Sequence, residues 1–234
     1  MSRSKSKRRE PSAESSHSLI ITVHAQGHGE PITAVRRVHA RDDALTSLIK
    51  KAIADKTCAD AVEPKWALAA IARCPVKFVA VEKNKKQASG FLMARFKKDV
   101  LYIELVCSSR KGIGSILLKE AIHLADSHDV NVELSSLPSV MPVYAKHKFK
   151  LRRSCSAKSV SLPRNLPRYA TDDDAMEDPK MMKFMIGLAD RGLTSNKRCA
   201  YKNLAKNKDG GKHDFYQNAC EENGFHMLRC RDDL

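Results

Sequence analysis

The sequence predicts an α/β fold built on a mixed sheet, and three observations carry that prediction. Residues 77–82 (KFVAVE), 88–96 (ASGFLMARF) and 100–107 (VLYIELVC) are apolar runs joined by short charged pieces, the pattern of an antiparallel meander. An amphipathic stretch, 113–127, separates the third run from 130–134 (VNVEL), and a whole helix between two strands makes them parallel through a right-handed crossover. Residues 138–147 then form a second crossover that ends before a short strand at 149–151.

Each element has its own local reason. Residues 1–17 (MSRSKSKRREPSAESSH) are polar and serine-rich and read as a disordered tail, with Lys5, Lys7, Arg8 and Arg9 as a basic patch of the kind that binds polyanions or directs nuclear import. A β-branched run at 18–24 (SLIITVH) is expected as the first strand. Residues 42–55 place Leu45, Leu48, Ile49, Ala52 and Ile53 at helical spacing behind two aspartates, and 66–74 follow Pro64 as a second helix. Along 113–127 the apolar face is Ile113, Ile116, Leu117, Ala121, Leu124 and Ala125. Beyond 151, a basic stretch and an acidic one at 171–178 read as an irregular connection, 181–191 as a helix burying Met182, Met185, Ile186 and Ala189, and 224–230 (GFHMLRC) as a terminal strand. That last run competes with 149–151 for the final place in the sheet. The expected organisation is a tail at 1–17, a domain at 18–154, a charged linker at 155–179 and a C-terminal extension at 180–234.

The 234 residues suit one domain, or one plus an appendage, at roughly 100–200 residues per domain. Mean hydropathy is −0.42 and no run reaches the roughly 18–20 apolar residues that span a bilayer, so neither global disorder nor a membrane span is expected. An intracellular location, cytoplasmic or nuclear, follows. Seven cysteines, with no CxxC pair, read as reduced thiols. The cluster Cys199, His213, Cys220, His226 and Cys230 has no ordinary zinc spacing, so no metal is expected.

The net charge of +15 is uneven: residues 145–168 carry +8 with no acid, and 169–179 carry −5. A basic chain of this kind suits an anionic partner, whether nucleic acid, an anionic surface or a phosphate-bearing ligand. One place has the parts to hold a phosphate. After the strand ending at Cys107, the sequence Ser108-Ser109-Arg110-Lys111-Gly112-Ile113-Gly114 opens a helix. Glycines let a ligand approach the backbone, and the unpaired N–H groups and dipole of a helix start favour an anion, with Arg110 and Lys111 adding full charges. It is neither a Walker loop nor a GxGxxG fingerprint.

The strand order, this glycine turn and the downstream Tyr144-Ala145-Lys146-His147-Lys148-Phe149 together resemble the GNAT superfamily of N-acetyltransferases, over approximately residues 76–151. The resemblance implies a GNAT-like fold and an acetyl-CoA-dependent enzyme with no metal, in which an amine attacks the thioester directly. It implies cofactor contacts from Leu105, Val106, Cys107, Arg110, Lys111, Gly112, Ile113, Gly114 and Ser115, and Tyr144 as the acid that protonates the leaving thiolate. Ser109 stands where the family most often has Arg or Gln, Leu137 where it often has Asn, and Lys148 at its usual glycine. Glu104 is the nearest candidate base; strict alternation would turn it away from Leu105. The acceptor would be an amine on a small molecule, peptide or protein. A second reading keeps the scaffold but makes the chain a basic nucleic-acid-binding protein, acting through the tail and residues 145–168.

Overall fold

A computed structural model describes residues 32–38, 42–58, 62–82, 87–163, 166–167, 169, 171–194 and 224–231. Its centre is a seven-stranded sheet in the order β1-β2-β3-β4-β5-β7-β6. The meander is β2 (Val76–Glu82), β3 (Ala88–Lys97) and β4 (Val100–Ser108), all antiparallel, and β5 (Asn131–Ser136) lies parallel to β4. The mixed α/β sheet is therefore as the apolar runs and the crossover predict.

Two helices cover one face. Helix α1 (Asp43–Ala54) starts where the Asp42 carboxylate accepts the Leu45 N–H at 3.0 Å, and it buries Leu45, Ile49, Ala52 and Ile53. Helix α2 (Pro64–Arg73) starts on Pro64, whose missing N–H costs nothing at that position. With Phe91, Met93, Leu105 and Cys107 of the sheet they enclose one apolar cluster. The other face carries α3 (Ile113–Ser127), packed on Leu92, Leu101, Ile103, Val132 and Leu134 in a second, larger cluster. Along α3 the buried positions are Ile113, Leu117, Leu118, Ala121 and Ala125, so Leu118 takes the depth expected of Ile116 and Leu124, which are half-buried. Gly90 of β3 permits this contact: a Cβ there would lie 2.8 Å from both the Cys107 carbonyl and the Ile113 side chain.

Several expectations change. The run at 18–24 lies outside the described residues. The first described strand is β1 (Ile32–Val38), antiparallel to β2, whose adjacent Arg36 and Arg37 mask its alternation. After a 3-10 turn at Pro138–Val140 and α4 (Met141–Lys146), β6 (Lys150–Leu151) does not join β5 directly. β7 (Phe225–Arg229) lies between them, antiparallel to both. Both competing runs are thus strands, and the C-terminal one is the inner. The acidic run is a helix, α5 (Asp172–Glu177), because Thr171 and Asp174 exchange side-chain and backbone hydrogen bonds at 2.9 and 3.1 Å in a capping box. α6 (Pro179–Asp190) buries Met181, Met182, Met185, Leu188 and Ala189 in the α3-side cluster, with Ile186 only half-buried. Arg229, only 4% exposed, reaches from β7 to Asp126 with two bonds of 2.8 and 3.2 Å.

The cysteines are not all thiols. Cys58 bonds to Cys107 and Cys155 to Cys230, while Cys74 is free and buried. The partners lie 49 and 75 residues apart, beyond the reach of any spacing rule. No described helix is long and apolar enough to cross a membrane.

Candidate functional site

The site begins as a defect in strand pairing. β4 pairs with β5 only from Val100 to Ile103, opposite Asn131–Leu134, although β4 runs on to Ser108. The cause is a bulge. Met93 opposes Leu105 and Ala94 opposes Ile103, which leaves Glu104 as an extra residue on β4. The bulge also exchanges faces: Leu101 and Ile103 belong to the α3-side cluster, Leu105 and Cys107 to the α1–α2 side. β5 meanwhile continues to Ser135 and Ser136, which pair with His226 and Phe225 of β7. Past Ile103 and Leu134 the two parallel strands therefore part, and one edge of β4 at 105–107 has no strand beside it among the described residues.

That free edge leads straight into the glycine turn. Gly112 caps α3 with φ 91°, a left-handed conformation that glycine adopts without strain, and a Cβ built there meets no atom of the described residues within 4 Å. No described side chain caps the helix, so the amides of its first turn, Gly114 and Ser115 among them, are presented outward. The Ile113 N–H turns back to the Arg110 carbonyl at 3.3 Å. Lys111 and Gly112 are exposed, Arg110, Gly114 and Ser115 half-buried. Ile113 is different: its side chain is core, and only its backbone belongs to the turn. Ser109 is spent on positioning, since its N–H and hydroxyl both donate to the Ser89 carbonyl at 2.9 and 3.1 Å, pinning the turn to β3.

Tyr144 lies on the α3 side, half-buried, with its ring edge-on to Phe149 at 5.9 Å. Burial pushes its hydroxyl up to about 12, so it carries its proton at every physiological pH.

Glu104 is not placed as alternation suggested. The bulge brings Leu105 over to the face of Glu104, which pairs there with Arg73 of α2 at 3.3 Å and Arg95 of β3 at 3.2 Å. A carboxylate bridging two guanidinium groups is a structural tie more than a proton acceptor. Tyr144 and Glu104 therefore stand on opposite faces of the sheet, and the structure does not bring them together.

Sequence reasoning missed a third group on the Glu104 face. Alternation along β5 puts Val132 and Leu134 in the core and turns Glu133 to the far side. There it faces His226 of β7, Nδ1 to Oε1 at 3.7 Å, at the level where β4 and β5 part. Burial holds the His226 imidazole below its ordinary value; Arg153 and Lys97 push the same way, and the Glu133 charge and a hydrogen bond to the Arg153 backbone oppose them. The signal was present in the alternation of VNVEL, but the partner lies 93 positions away in a run that the sequence left unplaced. His226 and Cys230 are thus engaged with Glu133 and Cys155; Cys199, His213 and Cys220 lie outside the described residues. On this same face, a cavity of about 330 Å³ opens between α1 and α2 beside Cys58.

No protein-family model matches the sequence, and no curated protein matches it. Solved structures do. An acyl-CoA N-acyltransferase from Pseudomonas aeruginosa is 15% identical, with a TM-score of 0.42 over 53% of this chain and 90% of that one. Tetrahymena GCN5 is 12% identical, TM-score 0.41, over 56% and 84%. Arabidopsis thaliana Naa50, in complex with a bisubstrate analogue, is 20% identical, TM-score 0.38, over 51% and 85%.

Proposed function

We propose that this chain is an N-acetyltransferase of GNAT type, moving the acetyl group of acetyl-CoA directly to an amine. The observation that supports it most is the separation of β4 from β5 immediately before an uncapped, glycine-led helix start. A bare strand edge and an anion-seeking turn in series fit a ligand that is amide-rich at one end and pyrophosphate at the other. The residues present suit that ligand. Residues 105–107 offer backbone groups to the amides of the pantetheine arm, and the amides of Gly114 and Ser115, with Arg110 and Lys111, hold the pyrophosphate. Gly112 keeps the approach open, since no atom of the described residues lies within 4 Å of the space a side chain would take. Bound there, acetyl-CoA supplies an acetyl group already activated as a thioester.

The remaining work falls to side chains on the two faces. In this reading the acceptor amine enters on the Glu133 and His226 side. His226, held neutral by burial, takes the ammonium proton, directly or through one water. The amine nitrogen then bonds to the acetyl carbon and the carbon–sulfur bond breaks. Tyr144, still protonated, delivers its proton to the departing sulfur from the α3 side. A second proton leaves the nitrogen as the amide forms and is returned through water to the Tyr144 oxygen, so of the two protons the ammonium loses, one stays on His226 and the other replaces the one given to the thiolate. The proposed unit runs from the first strands through residue 229, because β7 completes the sheet that β5 needs.

The test is release of CoA thiol on mixing the protein with acetyl-CoA and a panel of small amines, peptides and polyamines. Amine-dependent release supports the reading. CoA that fails to bind, with no release for any amine, removes it.

A further inference from the structure

The connection that leaves β6 forms a second, separate basic site. After Leu151 the chain turns through Ser154 and Ala157, where the Ala157 N–H donates to the Ser154 carbonyl at 3.1 Å, and returns so that the Val160 N–H donates to the Leu151 carbonyl at 2.8 Å. The Cys155–Cys230 disulfide fastens this loop to the end of β7. Arg152, only 6% exposed, donates to the Cys155 carbonyl at 3.3 Å, and Arg153 donates to the Gly192 carbonyl at 3.2 Å. Gly192 is needed for that contact: its φ is 64°, and a Cβ there would collide with the Arg153 guanidinium. The loop and the end of α6 border a half-open cavity of about 250 Å³ lined by Arg152, Arg153, Lys158, Ser159 and Arg191, among others.

Among the described residues four cations line this cavity and no carboxylate does; even counting Asp190, next to Arg191 in the chain, the sum is 4 − 1 = +3. Like charges gathered on a rigid wall repel one another, and a bound anion offsets that cost. The guanidinium fork fits the oxygens of a phosphate two at a time, and the Ser159 hydroxyl adds a neutral donor. The volume suits a single phosphate group carried by a small molecule.

We propose that this cavity binds a phosphate dianion, free or as a monoester, at a site separate from the glycine turn. The inference does not rest on the acetyl-transfer reading. The test is calorimetric titration of the full chain with inorganic phosphate, and in parallel with glycerol phosphate and with acetate at matched ionic strength. Saturable phosphate binding is expected, weakened about tenfold or more when Lys158→Glu and Arg191→Glu are combined. Neither side chain holds the loop in place, and a thermal melt confirms that the variant is folded. Lys50→Glu, on the exposed side of α1 and in neither site, should leave the phosphate affinity within about twofold. Tighter binding of glycerol phosphate than of phosphate identifies a monoester as the ligand; the reverse identifies free phosphate. The proposal is overturned if phosphate fails to saturate below about 10 mM, if acetate binds equally well, or if Lys111→Glu abolishes the binding while the double variant keeps it.

Discussion

Gly112 separates the two reasons a glycine can sit at a helix start. Its φ of 91° means that any side chain costs backbone strain, about 1–2 kcal/mol for an L-residue in the left-handed region. A Cβ there meets nothing among the described residues within 4 Å, so no clash adds to that cost. Gly112→Ala therefore isolates the strain, and Gly112→Glu adds a negative charge at the mouth of the turn with nearly the same strain. One charge at about 6–8 Å, in an effective dielectric near 20, opposes each unit charge of a pyrophosphate by about 2–3 kcal/mol. Salt and side-chain freedom reduce this at an exposed site, leaving a net effect of about 1.5–2 kcal/mol. The Glu variant should bind CoA about 10–30-fold more weakly than the Ala variant, while their melting temperatures agree within about 2 °C. Calorimetry with CoA and a thermal melt measure both. Equal CoA affinity in the two folded variants would refute the assignment of the phosphates to this turn.

Three further outcomes follow from the same geometry. Tyr144→Phe should lower kcat about 100-fold or more with CoA affinity unchanged, the loss expected of a general acid, whereas a purely packing role would show as a melting shift with turnover intact. His226 has a depressed pKa, so it is neutral above the unfolded value of 6.5 and gains its proton only as pH falls below that. kcat/KM should fall on that acid side, and His226→Gln should flatten the limb. By the same sign, the stability that depends on a neutral His226 is fully present above 6.5 and lost as pH falls through the folded value, visible as a smaller acid dependence of urea midpoints in the Gln variant. Arg229→Met removes a nearly buried guanidinium from a partly exposed Asp126 and should cost about 2–3 kcal/mol in urea unfolding; a change below about 0.5 kcal/mol would show the pair to be idle.

How much was legible depended on the range of the cause. α1, α2 and α3 follow from caps and periodicity within a dozen residues; the Asp42 cap lies where the sequence puts it, while α2 starts on Pro64 itself, two residues before the expected 66. The glycine turn was equally local. The bulge at Glu104 was not, because VLYIELVC alternates without interruption and only pairing with β3 makes Glu104 the extra residue. That single insertion put Leu105 and Cys107 on the α1–α2 side beside Glu104, and past it β4 and β5 part. The order of β7 and β6 was hidden for a related reason: the two runs are separated by more than 70 residues, and nothing local decides which is inner. The disulfides and the facing of Glu133 and His226 likewise depend on long-range contacts. The acidic stretch failed differently, since its charges suggested a solvated connection while the Thr171–Asp174 capping box was the stronger local signal.

The bare edge of β4 is the central claim, and amide hydrogen exchange reads it directly. Successive N–H groups along a strand point to opposite edges, so at least one amide among Leu105, Val106 and Cys107 faces the gap. With acetyl-CoA present, exchange at the gap-facing amides should slow at least about tenfold, together with Gly114 and Ser115. Acetyl-CoA that binds while these amides exchange as fast as before would contradict the account, because the ligand would then lie elsewhere on the molecule.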